Sequence, residues 1–185
     1  MKAYIIYDNR RSEKYDLFAQ ELSRQKIDYE IFPAIVLTHS VVESISDSFK
    51  AVIRKAKEQD LEMVCIMEDD VMFSSPKSWE YFLNNKPEKF DIYIGGTYVM
   101  DNRIEYKAPV IKVNNYVGNH CIIVNESYYD MWLQTDSKKH CDTVHECGEF
   151  YLCFPFIALQ RVGWSANNGT LADYNHKIPK EYILR

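Results

Sequence analysis

The sequence predicts an α/β fold with a mainly parallel central sheet flanked by helices. Three observations carry that reading. Two apolar runs, residues 3–7 and 63–67, have the length and composition of buried parallel strands. Between and beside them lie segments with the 3.6-residue period of amphipathic helices, so the first half of the chain reads β-α-β-α-β. The second run, Met63-Val64-Cys65-Ile66-Met67, ends in Glu68-Asp69-Asp70. In open α/β sheets, ligands gather at the carboxyl ends of strands.

Residues 3–7 are the first strand. Asp8-Asn9-Arg10-Arg11 is a polar turn, and Ser12 caps a helix from Glu13 to about Arg24 with Tyr15, Phe18 and Leu22 on its apolar face. Residues 29–32 form a second strand, stopped by Pro33. Ser40-Val41-Val42-Glu43 has the form of a capping box. Behind it Val42, Ile45, Phe49, Val52, Ile53 and Ala56 recur at helical spacing to about Glu58. After the acid-bearing strand, Pro76 to about Asn84 predicts a short helix that buries Trp79 and Phe82. Asp91-Ile92-Tyr93-Ile94-Gly95-Gly96 predicts a strand closed by a double glycine, and residues 110–113 and 121–124 predict two more. Asn125 is placed to cap a helix through Tyr129 and Leu133. Residues 138–148 are polar and irregular, and residues 151–157 read as a last strand interrupted by Pro155. From Gln160 the chain is rich in Gly, Asn and Ser and reads as loop. With no linker or repeat, residues 1–185 are expected to form one domain.

Composition narrows the function. A net charge of −5 and the lack of a basic run argue against nucleic-acid binding. No apolar stretch reaches transmembrane length, and the opening Met1-Lys2-Ala3 is too soon charged for a signal peptide. The expectation is a cytoplasmic protein, with any membrane association peripheral. The 5 cysteines are an odd number, which favours reduced thiols. The run from His140 and Cys141 through His145 and Cys147 to Cys153 lacks the paired spacing of zinc sites. Asn125-Glu126-Ser127 and Asn168-Gly169-Thr170 fit the glycosylation acceptor pattern, which has no meaning without secretion. The 14 tyrosines suit sugar or base stacking, or ordinary core and rim packing.

Three adjacent carboxylates repel one another and lose solvation, and a cation relieves both costs. An extended backbone would set Glu68 and Asp70 on one face and Asp69 on the other. Two oxygen ligands on one face suit a hard divalent ion that keeps positions open for phosphate oxygens. A solvated acidic turn is the alternative.

Several segments, taken in order, carry a resemblance. They are Tyr4 to Arg11, Ser48-Phe49-Lys50, Ile66-Met67-Glu68-Asp69-Asp70-Val71, Asp91 to Gly96, Gly118 to Val124, Asp142, Phe154-Pro155, Gln160 and Ser165. Together they resemble glycosyltransferase family 25, the lipooligosaccharide-type glycosyltransferases. Phe49 stands where that family usually has histidine.

The resemblance implies a GT-A-like, Rossmann-type sandwich. Residues 1–100 would bind the nucleotide sugar and residues 101–185 would carry acceptor and catalytic groups. It implies transfer of a hexose, galactose or glucose, from a UDP-sugar to a surface-glycan acceptor with inversion. Glu68 and Asp70 would hold Mn²⁺ or Mg²⁺. By position and side-chain chemistry, Arg10, Arg11, Lys50, Asp69, Gly95, Gly96, His120 (for metal or sugar) and Gln160 are the candidate donor contacts; Gln160 and Ser165 also suit the acceptor, and His176 suits a late metal or phosphate contact. Asp142 is the first candidate for the general base, and Glu146 and Glu149 compete with it. The other readings are a non-catalytic sugar-nucleotide-binding module and a different metal-dependent nucleotidyl or phosphoryl transferase.

Overall fold

The structure is a computed structural model, described here for residues 1–98, 104–143, 145, 147–165 and 169–185. Glu146 and Asn168 lie outside the described residues. In chain order, β1 (Lys2–Tyr7) leads through a 3₁₀ turn (Ser12–Lys14) into α1 (Tyr15–Arg24), β2 (Glu30–Pro33), α2 (Val41–Glu58), β3 (Met63–Glu68) and β4 (Val71–Phe73). Then come α3 (Ser78–Asn84), β5 (Ile92–Ile94), β6 (Val110–Val113), β7 (Cys121–Asn125) and α4 (Tyr129–Gln134). β8 (Phe150–Cys153), β9 (Ala158–Gln160), β10 (Gly163–Ser165) and β11 (Thr170–Ala172) complete the order.

The central sheet has 7 strands in the order β2-β1-β3-β7-β5-β8-β6. β2, β1, β3, β5 and β8 share one direction, and β7 and β6 run against them. The expected mainly parallel sheet flanked by helices is what the chain forms. Side chains alternate across it, as the period of a strand requires. Tyr4, Ile6, Val64 and Ile66 pack with Phe49, Val52 and Ile53 of α2 and Trp132 of α4 on one face. Ala3, Ile5, Cys65 and Met67 pack with Phe18 and Leu22 of α1 and Phe82 of α3 on the other. Complete burial of an Ile, Leu or Phe side chain is worth about 1.5–3 kcal/mol, so these two layers fix which face each residue of β3 presents.

Local signals account for the element boundaries. The Ser40 side chain accepts the Glu43 N–H at 3.2 Å and starts α2. Asn125 Oδ1 accepts the Ser127 N–H at 3.1 Å and starts a 3₁₀ turn that runs into α4. The predicted first helix begins with the 3₁₀ turn, one place before Glu13. Pro33 ends β2 inside the strand, not before it, because β2 is an edge strand and Pro33 needs no outward N–H bond.

Two expectations change. The strand expected over residues 151–157 ends at Cys153 as β8 of the main sheet, and a further strand, β9, follows the run at Ala158–Gln160 in a separate two-stranded ladder with β4. The tail after Gln160 also carries structure. β10 and β11 pair as an antiparallel hairpin, and residues 180–184 return to the core. There the Phe156 N–H donates to the Tyr182 carbonyl at 2.7 Å, and the Tyr182 ring stacks on Tyr106. The strands involved are 3 residues long, too short for an alternating pattern to stand out.

Two features of this topology position the candidate site. Because β7 is reversed, its entry at Val117–His120 arrives at the rim where β1 and β3 exit, and the Glu68 N–H donates to the His120 carbonyl at 3.3 Å. The β4–β9 ladder sets Val71 opposite Gln160, which brings two distant parts of the sequence to the acidic strand end.

Candidate active site

β3 stops at Glu68, and Asp69 and Asp70 form a turn into β4. The bend changes the division of the three acids expected of an extended chain. Glu68 follows the alternation of Ile66 onto the α2 face. Asp69 goes to the opposite side, but Asp70 turns back so that one ammonium reaches both aspartates. Lys14 Nζ lies 2.5 Å from Asp69 Oδ1 and 3.2 Å from Asp70 Oδ2, with Lys14 8% and Asp69 9% exposed. Asp69 Oδ2 also accepts the Asp8 N–H at 3.4 Å, which ties the end of β3 to the end of β1. Asp69 is therefore held by the protein itself.

The electrostatics follow from this crowding. Burial, then the charges of Asp70, Asp142 and Asp69, push the Glu68 carboxyl well above the ordinary carboxylate range. Burial also raises Asp69, against the pull of Lys14. Asp70 is pinned on one side only. Its Oδ2 accepts from Lys14 Nζ and, at 3.1 Å, from Gln160 Nε2, while Oδ1 is buried with no partner among the described residues. A buried acceptor left without a donor costs about 1–3 kcal/mol. Glu68 and the free Asp70 oxygen together make an oxygen-only donor pair, the chemistry that hard divalent ions take. Among the described residues, no group of three His, Cys, Asp or Glu side chains gathers around a metal-sized point, so an ion there would need ligands from substrate or water.

Two cavities meet at these acids. The larger, about 500 Å³, is lined by Asp8, Arg10, Arg11 and Lys14 after β1, by Ala34–Thr38, by Ser44, Ser48 and Phe49 of α2, by Glu68–Asp70, and by Gln160, Trp164 and Ser165. Its apolar wall is fixed from α2, since Ser48 Oγ accepts the Ile35 N–H at 2.8 Å and Ser44 Oγ accepts the Leu37 N–H at 2.9 Å. The smaller, about 280 Å³, is lined by Tyr98, Val117, Asn119, His140–Thr143, Tyr174 and Lys177. Ile45, Glu68, Gln160 and Ser165 face both.

Most of the predicted residues converge here. Arg10 lies at the larger cavity, with its guanidinium on Asp8 at 2.6 Å. Arg11 lies there too and donates to the Trp164 carbonyl at 2.9 Å, joining the β1 turn to the β10 hairpin. Asp142 lines the smaller cavity, and its Oδ2 accepts the Gly118 N–H at 3.1 Å.

Four do not take the expected place. Lys50 is buried in α2 and donates to the Thr135 carbonyl and, at 3.0 Å, to Ser137 Oγ, so it secures the end of α4. Gly95 and Gly96 make a close approach to their own chain. A Cβ on Gly96 would sit 2.2 Å from the Ala158 carbonyl oxygen, and one on Gly95 2.9 Å from Ile157. His120 is fully buried, and its Nε2 donates to the Ala158 carbonyl at 3.0 Å. Burial lowers its pKa, against the pull of that hydrogen bond, so the ring stays neutral. None of these four is among the residues lining the two cavities.

Glu149 is exposed and paired with Lys112 at 2.8 Å, and His176 is exposed with Nδ1 against the Asp173 carbonyl. The cysteines are all free. Cys147 is exposed, Cys153 is buried with Tyr93, and His145 lies among Tyr116, Tyr128, Trp132 and Phe150.

Two residues at the site escaped the sequence reading. Lys14 carried a signal. A cation in the first turn of a helix opposes the dipole, which favours anions there, and its presence asks for an acid nearby. Tyr98 carried none. It becomes visible through the β4–β9 ladder, where its hydroxyl donates to Gln160 Oε1 at 2.6 Å.

No family model matches the chain, and no curated protein matches it. Solved structures similar to it include a glycosyltransferase involved in glycosylation of the major capsid of PBCV-1. That match has 8% identity and a TM-score of 0.43, and it covers 71% of this chain and 63% of that one. The A197 protein of STIV matches with 13% identity and a TM-score of 0.45 over 92% of this chain and 93% of that one. A mutant of the Drosophila beta-1,4-galactosyltransferase 7, in complex with manganese, UDP-Gal and xylobiose, matches with 12% identity and a TM-score of 0.42. It covers 70% of this chain and 50% of that one. The chain thus spans less than two thirds of both glycosyltransferases. With identities and TM-scores this low, function rests on the chain's own residues.

Proposed function

We propose that the protein is a metal-dependent glycosyltransferase of the lipooligosaccharide type. It moves a hexose, galactose or glucose, from a UDP-sugar to a surface-glycan hydroxyl with inversion. In this reading it acts in the cytoplasm, with any contact to a membrane peripheral. The observation that carries the proposal is the meeting of two cavities of unequal size at Glu68 and Gln160, beside a buried carboxylate oxygen with no partner. A group transfer needs such a junction, because donor and acceptor must be held in contact at one point.

The larger cavity is assigned to the nucleotide diphosphate. Its wall at Ala34–Thr38 offers apolar contact to a base, and Arg10 and Arg11, which also line it, are assigned to the phosphates. Glu68 and Asp70 would hold Mn²⁺ or Mg²⁺, which supplies positive charge to the departing diphosphate. Lys14 keeps the two aspartates oriented. The smaller cavity is assigned to the acceptor. Gly118 fixes one oxygen of Asp142, and the carboxylate takes the proton of the attacking hydroxyl.

The test is a screen of UDP-, GDP- and TDP-sugars with Mn²⁺, read by release of nucleoside diphosphate. The expected result is release from a UDP-hexose, lost in Asp70→Asn and reduced at least 100-fold in Asp142→Asn, as removal of a general base predicts (about 10²–10⁴-fold). Release of pyrophosphate would replace this reading with nucleotidyl transfer. Tight UDP-sugar binding without release would make the protein a binding module.

A further inference from the structure

The two oxygens of Asp70 are treated differently, and the cause lies outside the acid cluster. Oδ2 takes two donors, Lys14 Nζ at 3.2 Å and Gln160 Nε2 at 3.1 Å, and Oδ1 takes none. Two donors on one oxygen hold the carboxylate plane, so the direction of Oδ1 depends on both. Lys14 is shared with Asp69 and cannot hold Asp70 by itself. The second hold is an amide, and an amide has two ends.

The orientation of Gln160 follows from its neighbours. A carboxylate only accepts, so the end facing Asp70 must be nitrogen. That leaves Oε1 facing the Tyr98 hydroxyl, which donates to it at 2.6 Å. Burial, with Glu68 and Asp70 close by, raises the Tyr98 pKa, so the hydroxyl keeps its proton. The Tyr98 ring is in turn clamped. It stacks on His120 at 5.6 Å and on Tyr174 at 4.9 Å between ring centres. The Gln160 backbone is fixed as well, because β9 is registered on β4 and the Asn175 side chain donates to the Gln160 carbonyl at 2.9 Å.

We propose that Tyr98, acting through Gln160, is a positioning residue that fixes the carboxylate plane of Asp70 at the wall of the larger cavity and leaves Oδ1 for the ion. This inference rests on the reading of Glu68 and Asp70 as the cation-holding pair. Tyr98 also lines the smaller cavity. The residue that orients Asp70 on the donor side is thus itself part of the acceptor wall.

The experiment is direct Mn²⁺ binding by electron paramagnetic resonance, with Mn²⁺ alone and with Mn²⁺ plus UDP. The proteins are the wild type, Tyr98→Phe, Gln160→Met and the double variant. Tyr98→Phe keeps the stacked ring and removes one hydroxyl. Loss of an outer hydrogen bond to a ligand group weakens metal binding by about 10-fold or more, so both single variants are expected to bind Mn²⁺ about 10-fold more weakly. The double variant is expected to be no worse than Gln160→Met, because the hydroxyl works only through the amide. In steady state, kcat should fall while KM for the acceptor stays within about twofold. Thermal melts identify any variant that does not fold, and the other single variant then decides. Unchanged Mn²⁺ affinity in a folded variant, or additive losses in the double variant, overturns the positioning role while the cation pair stands. A wild type that binds no Mn²⁺, with or without UDP, removes the cation pair and this inference with it.

Discussion

Lys14 and Asp69 form an ion pair with little exposure, and Asp70 shares the same ammonium. Removing one partner of a buried pair leaves an uncompensated charge and costs about 3–5 kcal/mol. Lys14→Met is therefore expected to destabilise the protein by that amount in urea unfolding. The double change with Asp69→Asn should recover part of the loss. Glu68 has the opposite problem, an acid with too many acids around it. Its folded pKa is raised above the ordinary 4.5. Between those two values the folded state holds more protons than the unfolded one, so stability is present below the ordinary pKa and is lost as pH rises through the raised one. In EDTA, wild-type stability should contain a term that falls with rising pH above 4.5, and Glu68→Gln should remove it. The variant should then exceed wild type in stability at neutral pH while failing to bind Mn²⁺. A wild type that outlasts Glu68→Gln in EDTA at neutral pH would count against this account.

At the scale of elements, two features outside the acid cluster can be tested. His145 lies in the segment between α4 and β8, enclosed by Tyr116, Tyr128, Trp132 and Phe150, with its Nδ1 3.3 Å from the Tyr128 hydroxyl. Burial lowers its pKa from 6.5 to about 4. The unfolded state then binds more protons in that window, so stability is full above 6.5 and drains away as pH falls toward 4, by about 3 kcal/mol. The difference in stability between wild type and His145→Leu should shift by that amount across this range in urea titrations. Gly96 lets the end of β5 touch β9, and a methyl there meets the Ala158 carbonyl oxygen at 2.2 Å. Gly96→Ala should destabilise by about 1–3 kcal/mol. By moving β9 it should also weaken donor binding, measured by calorimetry with UDP and Mn²⁺. The elements themselves were largely legible. Ser40 and Asn125 announced helix starts through capping chemistry, and β1 and β3 through continuous apolar runs. The C-terminal hairpin and the β4–β9 ladder were not legible, because strands of 3 residues carry no period and Gly163, Trp164 and Leu171 do not alternate with a core. The same limit hid the site's polar framework. Glu68-Asp69-Asp70 could be read as one cluster, but Gln160 and Tyr98 join it only through pairing between distant segments. Lys50 and His120 looked like site residues because cations and imidazoles suit such chemistry. The helix register and burial turned both to structural duties.

For the whole molecule, ligand binding and folding are linked. A donor with Mn²⁺ that binds the folded state alone stabilises it by about 2.7 kcal/mol at a concentration of 100 times Kd. For a chain of 185 residues this is a rise in Tm of roughly 5–11 °C. UDP with Mn²⁺ should produce such a rise, and UDP in EDTA a smaller one. Equal rises would mean that nucleotide binding does not use the ion. The layout behind this linkage also bears on how the scaffold changes over generations. Apart from Glu68–Asp70 and the stretch near Gln160, the larger cavity is built from chain before residue 50, and the smaller mostly from chain after residue 97. The reversed β7 brings the second set to the same rim without passing it through the first. Loops in one set are free to lengthen or drift while the other keeps its shape. On the proposed assignment, descendants of such a chain could exchange acceptors while keeping a donor, or the reverse. On that assignment Ile45, Glu68, Gln160 and Ser165 answer to both partners, and a mutation there must satisfy two ligands at once. Those four positions should accept the fewest substitutions in a saturation library selected for transfer.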